Sequence, residues 1–140
     1  MRYKLAELRD HVVICGFGRM GRVIADEIQR SGTAMVVVER DAARESELIA
    51  TGMTYVIGSA LDDRVLELAG VSRARAIAVA TASDADNVYV TLSARAMNPQ
   101  IRILARGESE AGLQHLRMAG ADVAISAYHW GGMRLAASYL

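Results

Sequence analysis

The sequence predicts an α/β fold, a Rossmann-like doubly wound sheet of six parallel strands. Six short apolar runs rich in Val and Ile lack polar alternation, as expected for parallel strands buried on both faces. Segments with helical spacing separate them; in the first, the predicted buried face carries Met20, Val23, Ile24 and Ile28. Strict alternation of strands and helices is typical of an open sheet covered on both sides. The predicted strands are His11–Cys15, Ala34–Val38, Thr54–Ile57, Ala76–Ala80, Ile101–Ala105 and Asp122–Ile125.

Composition limits the possible classes of protein. The 140 residues and 15.1 kDa correspond to one domain, and the 52% of hydrophobic residues excludes disorder. The 16 basic and 16 acidic side chains cancel, so we do not expect a general nucleic-acid binder. The single cysteine, Cys15, excludes an internal disulfide and a multi-cysteine zinc site. Neither a bilayer-spanning run nor a secretory signal is evident, which favours a cytoplasmic domain.

The two ends of the chain differ from the alternating middle. Residues Met1–Asp10 are predicted to be a charged lead-in to a domain that covers residues 11–126. Residues 127–140 are predicted to form a helix with apolar stripes on two sides, which one small domain cannot bury. Packing of one stripe on the sheet is the simpler alternative. We favour a helix that leaves the domain and docks on a partner such as a second copy.

The strongest local motif is a glycine loop between the first strand and the first helix, Gly16-Phe17-Gly18-Arg19-Met20-Gly21. In a G-x-G-x-x-G loop at this place, the first glycine makes the tight turn and the second lets the backbone approach a phosphate. The third lets the helix pack closely on the strand. Free N–H groups and the helix dipole favour an anion there. A purely structural turn is the alternative.

Charged residues near the loop refine the predicted ligand. Glu39 ends the second apolar run, where an acid would bind a ribose diol, which favours NAD or an adenine nucleotide over NADP. Arg40 weakens the exclusion of NADP because its guanidinium could pair with a 2′-phosphate. Arg19 lies in the first helical turn and could pair with a bound polyphosphate. The alternatives are a water-facing acid at Glu39 and a solvated arginine at Arg19.

Further strand ends are predicted to meet the glycine loop at the carboxyl edge of the sheet, where ligands of such folds bind. Ser59 and Ala60 are expected on the adenine side. The segment Thr81-Ala82-Ser83 is expected on the far side, and Arg106 ends the fifth run at the same edge.

Several motifs occur together in one order along the chain. They are Gly16–Gly21, Glu39-Arg40-Asp41, Gly52-Met53, Gly58-Ser59-Ala60, Leu68-Ala69-Gly70-Val71, Ser83-Asp84-Ala85-Asp86-Asn87 and Leu116-Arg117-Met118-Ala119-Gly120-Ala121-Asp122. Together they resemble the RCK N-terminal domain, also called the TrkA-N or KTN domain, which regulates potassium channels and transporters. The resemblance runs from about Asp10 to Leu140, and the last motif is the most discriminating because ordinary dehydrogenases lack it.

The resemblance implies a ligand, a set of partners and a mode of action. The ligand is NAD or NADH, or else ATP, ADP or AMP, bound at the glycine loop and Glu39. Many members have Asp where this chain has Ser59, so that adenosine contact is weakened or replaced. The helix Tyr128–Leu140 resembles the crossover helix through which two such domains pair. Paired domains stack into a ring on the inner face of the membrane and act on the pore.

One branch of the family binds calcium, but a metal site is not expected here. Asp84 and Glu108 match two of its acidic positions, whereas Arg106 places a cation at the third. Acids in the first turn of a helix account for Asp84 without a metal.

Three functional hypotheses compete. A ligand-sensing regulatory domain without catalytic residues is favoured, in a channel or in a free-standing transporter subunit. The alternative is the cofactor domain of an NAD-dependent oxidoreductase, which needs a positioned acid or base. The histidines His11, His115 and His129 are interpreted as structural or solvated. A thiol redox sensor at Cys15 is disfavoured because a strand residue there should be buried.

Overall fold

The computed structural model describes residues 4–140, and its centre is a six-stranded parallel sheet with the strand order β3-β2-β1-β4-β5-β6. The strands are β1 (Val12–Cys15), β2 (Met35–Glu39), β3 (Tyr55–Ile57), β4 (Ala76–Val79), β5 (Arg102–Arg106) and β6 (Val123–Ile125). The helices are α1 (Arg19–Arg30), α2 (Glu45–Thr51), α3 (Asp63–Leu68), α4 (Asp84–Met97), α5 (Glu110–Ala119) and α6 (Ala127–Tyr139). The predicted fold class is confirmed.

The sheet carries one apolar layer on each face. In the central strand β1, Ile14 pairs in register with Val37 of β2 and Ala78 of β4. Its neighbours Val13 and Cys15 belong to the layer on one face, whereas Ile14 belongs to the layer on the other. Because strands buried on both faces need apolar residues at every position, they appear in the sequence as unbroken runs. This explains why each predicted strand boundary lies within one residue of the observed one.

The buried face of α1 differs from the prediction. The buried residues are Gly21 and Ala25, while Ile24 and Ile28 are partly buried against the core. Val23 is 64% exposed, so its assignment to the buried face was wrong. The helix lies close to the sheet through small residues, which turns Val23 toward the carboxyl edge.

The predicted lead-in is attached to the opposite, amino edge of the sheet. Leu5–Glu7 forms one 3-10 turn, and Leu8 is buried in the core. The Nε of Arg73 donates to the Leu8 carbonyl over 3.0 Å. Next to this contact, the buried His11 has its Nε2 at 2.8 Å from the Ala69 carbonyl oxygen, and burial lowers its pKa. Residues 1–3 of the predicted lead-in lie outside the described residues.

Helix α6 follows β6 directly and contains no buried residue. Its apolar side chains are all exposed, from Trp130 at 51% to Tyr139 at 91%. Neither apolar stripe of α6 is packed on the sheet, and the role of this helix in pairing stays a prediction. None of the helices within residues 4–140 has the length and apolar character needed to cross a bilayer.

Candidate functional site

A cleft of about 960 Å³ opens at the carboxyl edge of the sheet. It reaches from the end of β3 to the start of α6. Thirteen of the fourteen predicted binding residues line it: Gly16, Phe17, Gly18, Arg19, Met20, Glu39, Arg40, Ser59, Ala60, Thr81, Ala82, Ser83 and Arg106. The sequence therefore predicted which residues line the cleft, although the role of these residues in binding stays a prediction.

Gly21, the fourteenth predicted residue, lies behind the cleft rather than in its wall. A Cβ atom on Gly21 would lie 1.8 Å from the carbonyl oxygen of Gly16. Gly16 has a φ of 103°, and its N–H donates to the Val38 carbonyl over 2.9 Å. The two glycines thus pack the start of α1 against the end of β1, as the third position of the motif predicts.

The start of α1 differs from the other helix starts at this edge. Gly18 is its N-cap, it has no side-chain cap, and no acidic residue lies in its first turn. Helices α4, α5 and α6 are each capped by a serine, namely Ser83, Ser109 and Ser126. Helix α2 also lacks a side-chain cap, but two acidic residues lie in its first turn. Since the first N–H groups of a helix have no partner within the helix, an uncapped start facing a cleft is suited to bind an anion.

Glu39 is fixed beside this helix start. The residue is only 7% exposed, and its carboxylate accepts two backbone hydrogen bonds, from Phe17 N at 2.7 Å and from Asp41 N at 2.8 Å. The alternative of a strand-end acid facing water is therefore wrong. Each carboxylate oxygen has more than one acceptor position, so the group can still accept from a pair of hydroxyls.

Phe17 contributes its backbone to the cleft. The residue is only 1% exposed, and the Arg22 guanidinium lies 5.0 Å from the centre of its ring. Arg22 is in turn held by Glu47 through two hydrogen bonds of 2.6 and 2.5 Å. The ring anchors the glycine loop in the core, and its peptide groups border the cleft.

On the far side of the cleft, Asn87 ties together the ends of β4 and β5. This buried side chain accepts from Thr81 N at 3.1 Å and donates to the Arg106 carbonyl at 2.8 Å. It also accepts from the Thr81 hydroxyl at 2.6 Å. The predicted binding residues Thr81 and Arg106 are therefore held at fixed positions next to one another.

The acidic residues considered for calcium form hydrogen bonds with other groups of the protein. Asp84 accepts from the backbone N–H groups of Glu108 at 2.8 Å and Ser109 at 3.2 Å. Arg106 donates to Glu108 Oε1 from Nε at 2.8 Å and from Nη2 at 2.5 Å. Within residues 4–140, no group of three His, Cys, Asp or Glu side chains is arranged to hold a metal ion.

Some residues in the cleft wall were missed by the sequence analysis. The additional lining residues are Val23, Val38, Arg44, Gly58, Leu61, Ala80, Asp86, Val90, Glu108, Ala127 and Tyr128. Arg44 could have been suspected because Asp41, an N-capping residue type, starts a short turn that ends at Arg44. Tyr128 could have been suspected because α6 starts at the same edge as the predicted site.

The histidines and the cysteine lie away from the cleft. His11 is at the amino edge, while His115 and His129 are exposed and do not line the cleft. Cys15 is fully buried, and this burial raises the pKa of its thiol to about 12. A thiol with this pKa is protonated at neutral pH, so the structure disfavours the redox-sensor hypothesis.

The fold and the cleft define this chain as a Rossmann-like domain with an uncapped helix start beside a buried acid. Residues 12–127 match the model of the TrkA-N domain family. The chain belongs to the TrkA-N family.

Known proteins similar to this chain include potassium channels and an inner membrane protein. Potassium channel protein 1 of Methanocaldococcus jannaschii is 36% identical over 138 residues, which are 97% of this chain and 41% of the relative. The chain thus spans about two-fifths of that relative's length. The TrkA-N domain of the inner membrane protein YbaL from Escherichia coli shares the fold at a TM-score of 0.88 and 24% identity, over 92% of this chain and 96% of that one.

Two solved structures of the GsuK channel contain nucleotides. The NAD-bound form superimposes with a TM-score of 0.77 at 28% identity, over 85% of this chain and 22% of that chain. The ADP-bound form has the same TM-score and identity, over 86% of this chain and 32% of that chain.

Proposed function

We propose that this chain is the ligand-sensing regulatory domain of a potassium channel or transporter, and that it binds NAD, NADH or an adenine nucleotide. The observation that carries this proposal is the uncapped start of α1 beside the buried carboxylate of Glu39. A helix start attracts phosphate, and a fixed carboxylate accepts ribose hydroxyls. The NAD and ADP bound to GsuK support the same class of ligand.

The cleft geometry favours ligands without a 2′-phosphate. Glu39 is buried and already ordered by two backbone donors, so a second negative group beside it would be repelled. Arg40 is exposed and lines the same part of the cleft. NAD, NADH, ATP, ADP and AMP share the adenosine phosphate that these residues would hold.

Calorimetric titration with NAD, NADH, ATP, ADP and AMP tests the proposal. Gly18→Asp should abolish binding without unfolding, because the nearest atom to a Cβ there is Arg44 Nη1 at 3.7 Å, an ordinary contact distance. The new carboxylate would repel the phosphate. Glu39→Ala should weaken binding through loss of the ribose contacts.

A matched control is Asp63→Asn, an exposed change outside the cleft, which should leave affinity unchanged. The absence of binding of all five nucleotides to the wild-type chain would contradict the proposal. Unchanged affinity in both cleft variants would remove the assigned site.

We infer that the chain acts without chemistry of its own. No histidine lines the cleft among the described residues. Of the three carboxylates in its wall, Glu39 is engaged by backbone N–H groups and Glu108 by Arg106, while Asp86 lies in the first turn of α4 with no histidine or second acid of the described part of the cleft bonded to it. Steady oxidation of NADH with any small substrate would instead favour the oxidoreductase alternative.

We also propose that Tyr128–Leu140 pairs two copies of this domain. Through this helix, binding of a ligand in the cleft would change how the paired domains are arranged. The apolar side chains of α6 are exposed on more than one side, and its first residues, Ala127 and Tyr128, line the cleft. A ligand that contacts them can therefore favour one orientation of α6 over another. In a ring of such dimers at the inner face of the membrane, that change would act on the pore.

Light scattering at increasing protein concentration tests the pairing. The wild-type chain should be a dimer, and Met133→Glu should shift it to a monomer by burying a charge in the interface. Ala136→Glu is the control for added charge, because it changes an exposed small residue of the same helix. If the large apolar side chains form the contact, this variant should shift the chain to a monomer less than Met133→Glu does. A wild-type monomer at high concentration would contradict the proposed interface.

A further inference from the structure

Four arginines line the cleft, and they differ in how their guanidinium groups are held. Arg19 and Arg40 are exposed. Arg106 is paired with the carboxylate of Glu108 at 2.5 Å. Arg44 is different, because its Nη1 donates to the carbonyl oxygen of Phe17 in the glycine loop.

The turn that carries Arg44 is itself fixed. Asp41 N donates to Glu39 Oε2 at 2.8 Å, and Asp41 Oδ1 accepts from Ala43 N at 3.0 Å. The backbone N–H of Arg44 then donates to the Asp41 carbonyl at 3.0 Å. A closed circuit of hydrogen bonds therefore runs from Phe17 N through Glu39 and this turn, and returns through Arg44 to the Phe17 carbonyl.

The charge of Arg44 is only partly compensated, because the nearby Glu47 carboxylate that attracts it is already paired with Arg22. Its Nε lies 3.8 Å from Asp41 Oδ2, which is beyond hydrogen-bond length, and the Asp41 carboxylate is half exposed. A guanidinium has five N–H donors, of which the Phe17 carbonyl takes one. Most donors of Arg44 thus have no hydrogen bond within the described part of the chain.

The Arg44 guanidinium also lies beside the start of α1, where the phosphate of a ligand would bind. Its Nη1 is 3.7 Å from the position of a Cβ on Gly18, the glycine that caps the open start of α1. An anion bound to the first N–H groups of α1 would therefore have a fixed cation next to it. A side chain that is already ordered loses less conformational entropy on binding than a free one.

We propose that Arg44 is the arginine with which the cleft recognises the phosphate of its ligand, ahead of the exposed Arg19 and Arg40 and the neutralised Arg106. This inference rests on the proposed function, and it names the residue that distinguishes a phosphorylated adenosine from adenosine itself. Arg44 is a binding residue in this account, and its contact with Phe17 positions it.

The test compares ADP with adenosine in the full chain. Arg44→Ala should weaken ADP binding about tenfold or more, the loss typical of a charge-assisted contact, and should leave adenosine affinity within about twofold. Arg40→Ala is the matched control, an exposed arginine of the same cleft, and should weaken ADP binding less than about threefold. ADP is titrated by calorimetry, and adenosine is measured by displacement of a fluorescent ADP derivative.

Arg44→Gln keeps a neutral donor for the Phe17 carbonyl and removes the charge. It should lose ADP affinity to a similar degree, and thermal unfolding should show that it remains folded. Equal losses for ADP and adenosine would overturn the inference, because Arg44 would then only support the loop. A larger ADP loss for Arg40→Ala than for Arg44→Ala would overturn it as well.

The inference and the proposed function fail in different ways. If the wild-type chain binds ADP and Arg44→Ala binds it equally well, only the role of Arg44 is wrong. If the wild-type chain binds neither ADP nor any other nucleotide, the proposed function is wrong and the inference falls with it.

Discussion

The start of α1 and the start of α5 lie at the same edge of the sheet and resemble each other in one respect. Each has a glycine as the third helical residue, Gly21 in α1 and Gly112 in α5. A Cβ on Gly21 would lie 1.8 Å from the Gly16 carbonyl oxygen, and one on Gly112 would lie 2.1 Å from Asp84 Oδ2. One helix start therefore makes room for backbone, and the other makes room for a carboxylate.

This difference decides which helix start is free to bind a ligand. At α5, Ser109 caps the helix and Asp84 accepts two backbone N–H groups just before it. At α1, neither a capping side chain nor an acid occupies the first turn. The chain thus satisfies the start of α5 with its own residues and leaves the start of α1 without such a partner, which is the arrangement that the proposed anion site requires.

The largest expected effect comes from filling the space at α1. Gly21→Ala should lower the free energy of unfolding by about 3 kcal/mol or more, because its Cβ would overlap the rigid Gly16 backbone. Gly131→Ala is the matched control: this exposed glycine in α6 has no neighbour within 4 Å and should gain stability. Denaturant unfolding measures both. Equal stability of the two variants would show that α1 does not pack closely through Gly21.

A smaller effect is expected from removing the internal cap at α5. Asp84→Ala should cost about 1 to 2 kcal/mol of unfolding free energy, since two backbone N–H groups lose their acceptor. Asp84→Asn keeps one acceptor oxygen and should cost less. ADP affinity should remain unchanged in both, because Asp84 does not line the cleft. A loss of ADP binding that matched the loss of stability would mean that the two helix starts do not act separately.

The smallest expected change in stability comes from adding an acid to the first turn of α1. Arg19→Glu should raise the free energy of unfolding without ligand by about 0.3 to 1 kcal/mol, because a negative charge suits a helix start. The same change should weaken ADP binding by repelling the phosphate. Glu110→Arg makes the opposite exchange at α5, so it should lower stability by a similar amount and leave ADP binding unaffected. Tighter ADP binding by Arg19→Glu would contradict the assignment of the open helix start.

The sequence predicted the fold and the backbone of the cleft well, because both depend on local patterns. Buried parallel strands are unbroken apolar runs, and the positions of Gly16 and Glu39 follow from strand ends. The sequence did not indicate where side chains point across the sheet edge. Asp84 was interpreted through its own helix α4, whereas it accepts from residues more than twenty positions away.

Because the sequence does not indicate where side chains point in the fold, other predicted residue positions also differ from the observed ones. Val23 has the spacing of a buried residue but faces the cleft, because α1 lies on its smaller residues. The ring of Phe17 is inside the core, so this residue offers only its backbone to a ligand. Arg44 acts through a carbonyl 27 positions earlier in the chain. Such contacts depend on the folded arrangement of separate segments, so the periodicity of the sequence does not predict them.

The comparison between the two helix starts is tested most directly by the amide resonances of the chain during titration with ADP. We expect saturable shifts for Gly18, Arg19 and Met20 at the open start of α1. The resonances of Glu110 and Gly112 at the start of α5 should remain unchanged. Shifts centred on α5, or none at α1 when ADP is in excess, would contradict the central claim that the glycine loop holds the nucleotide.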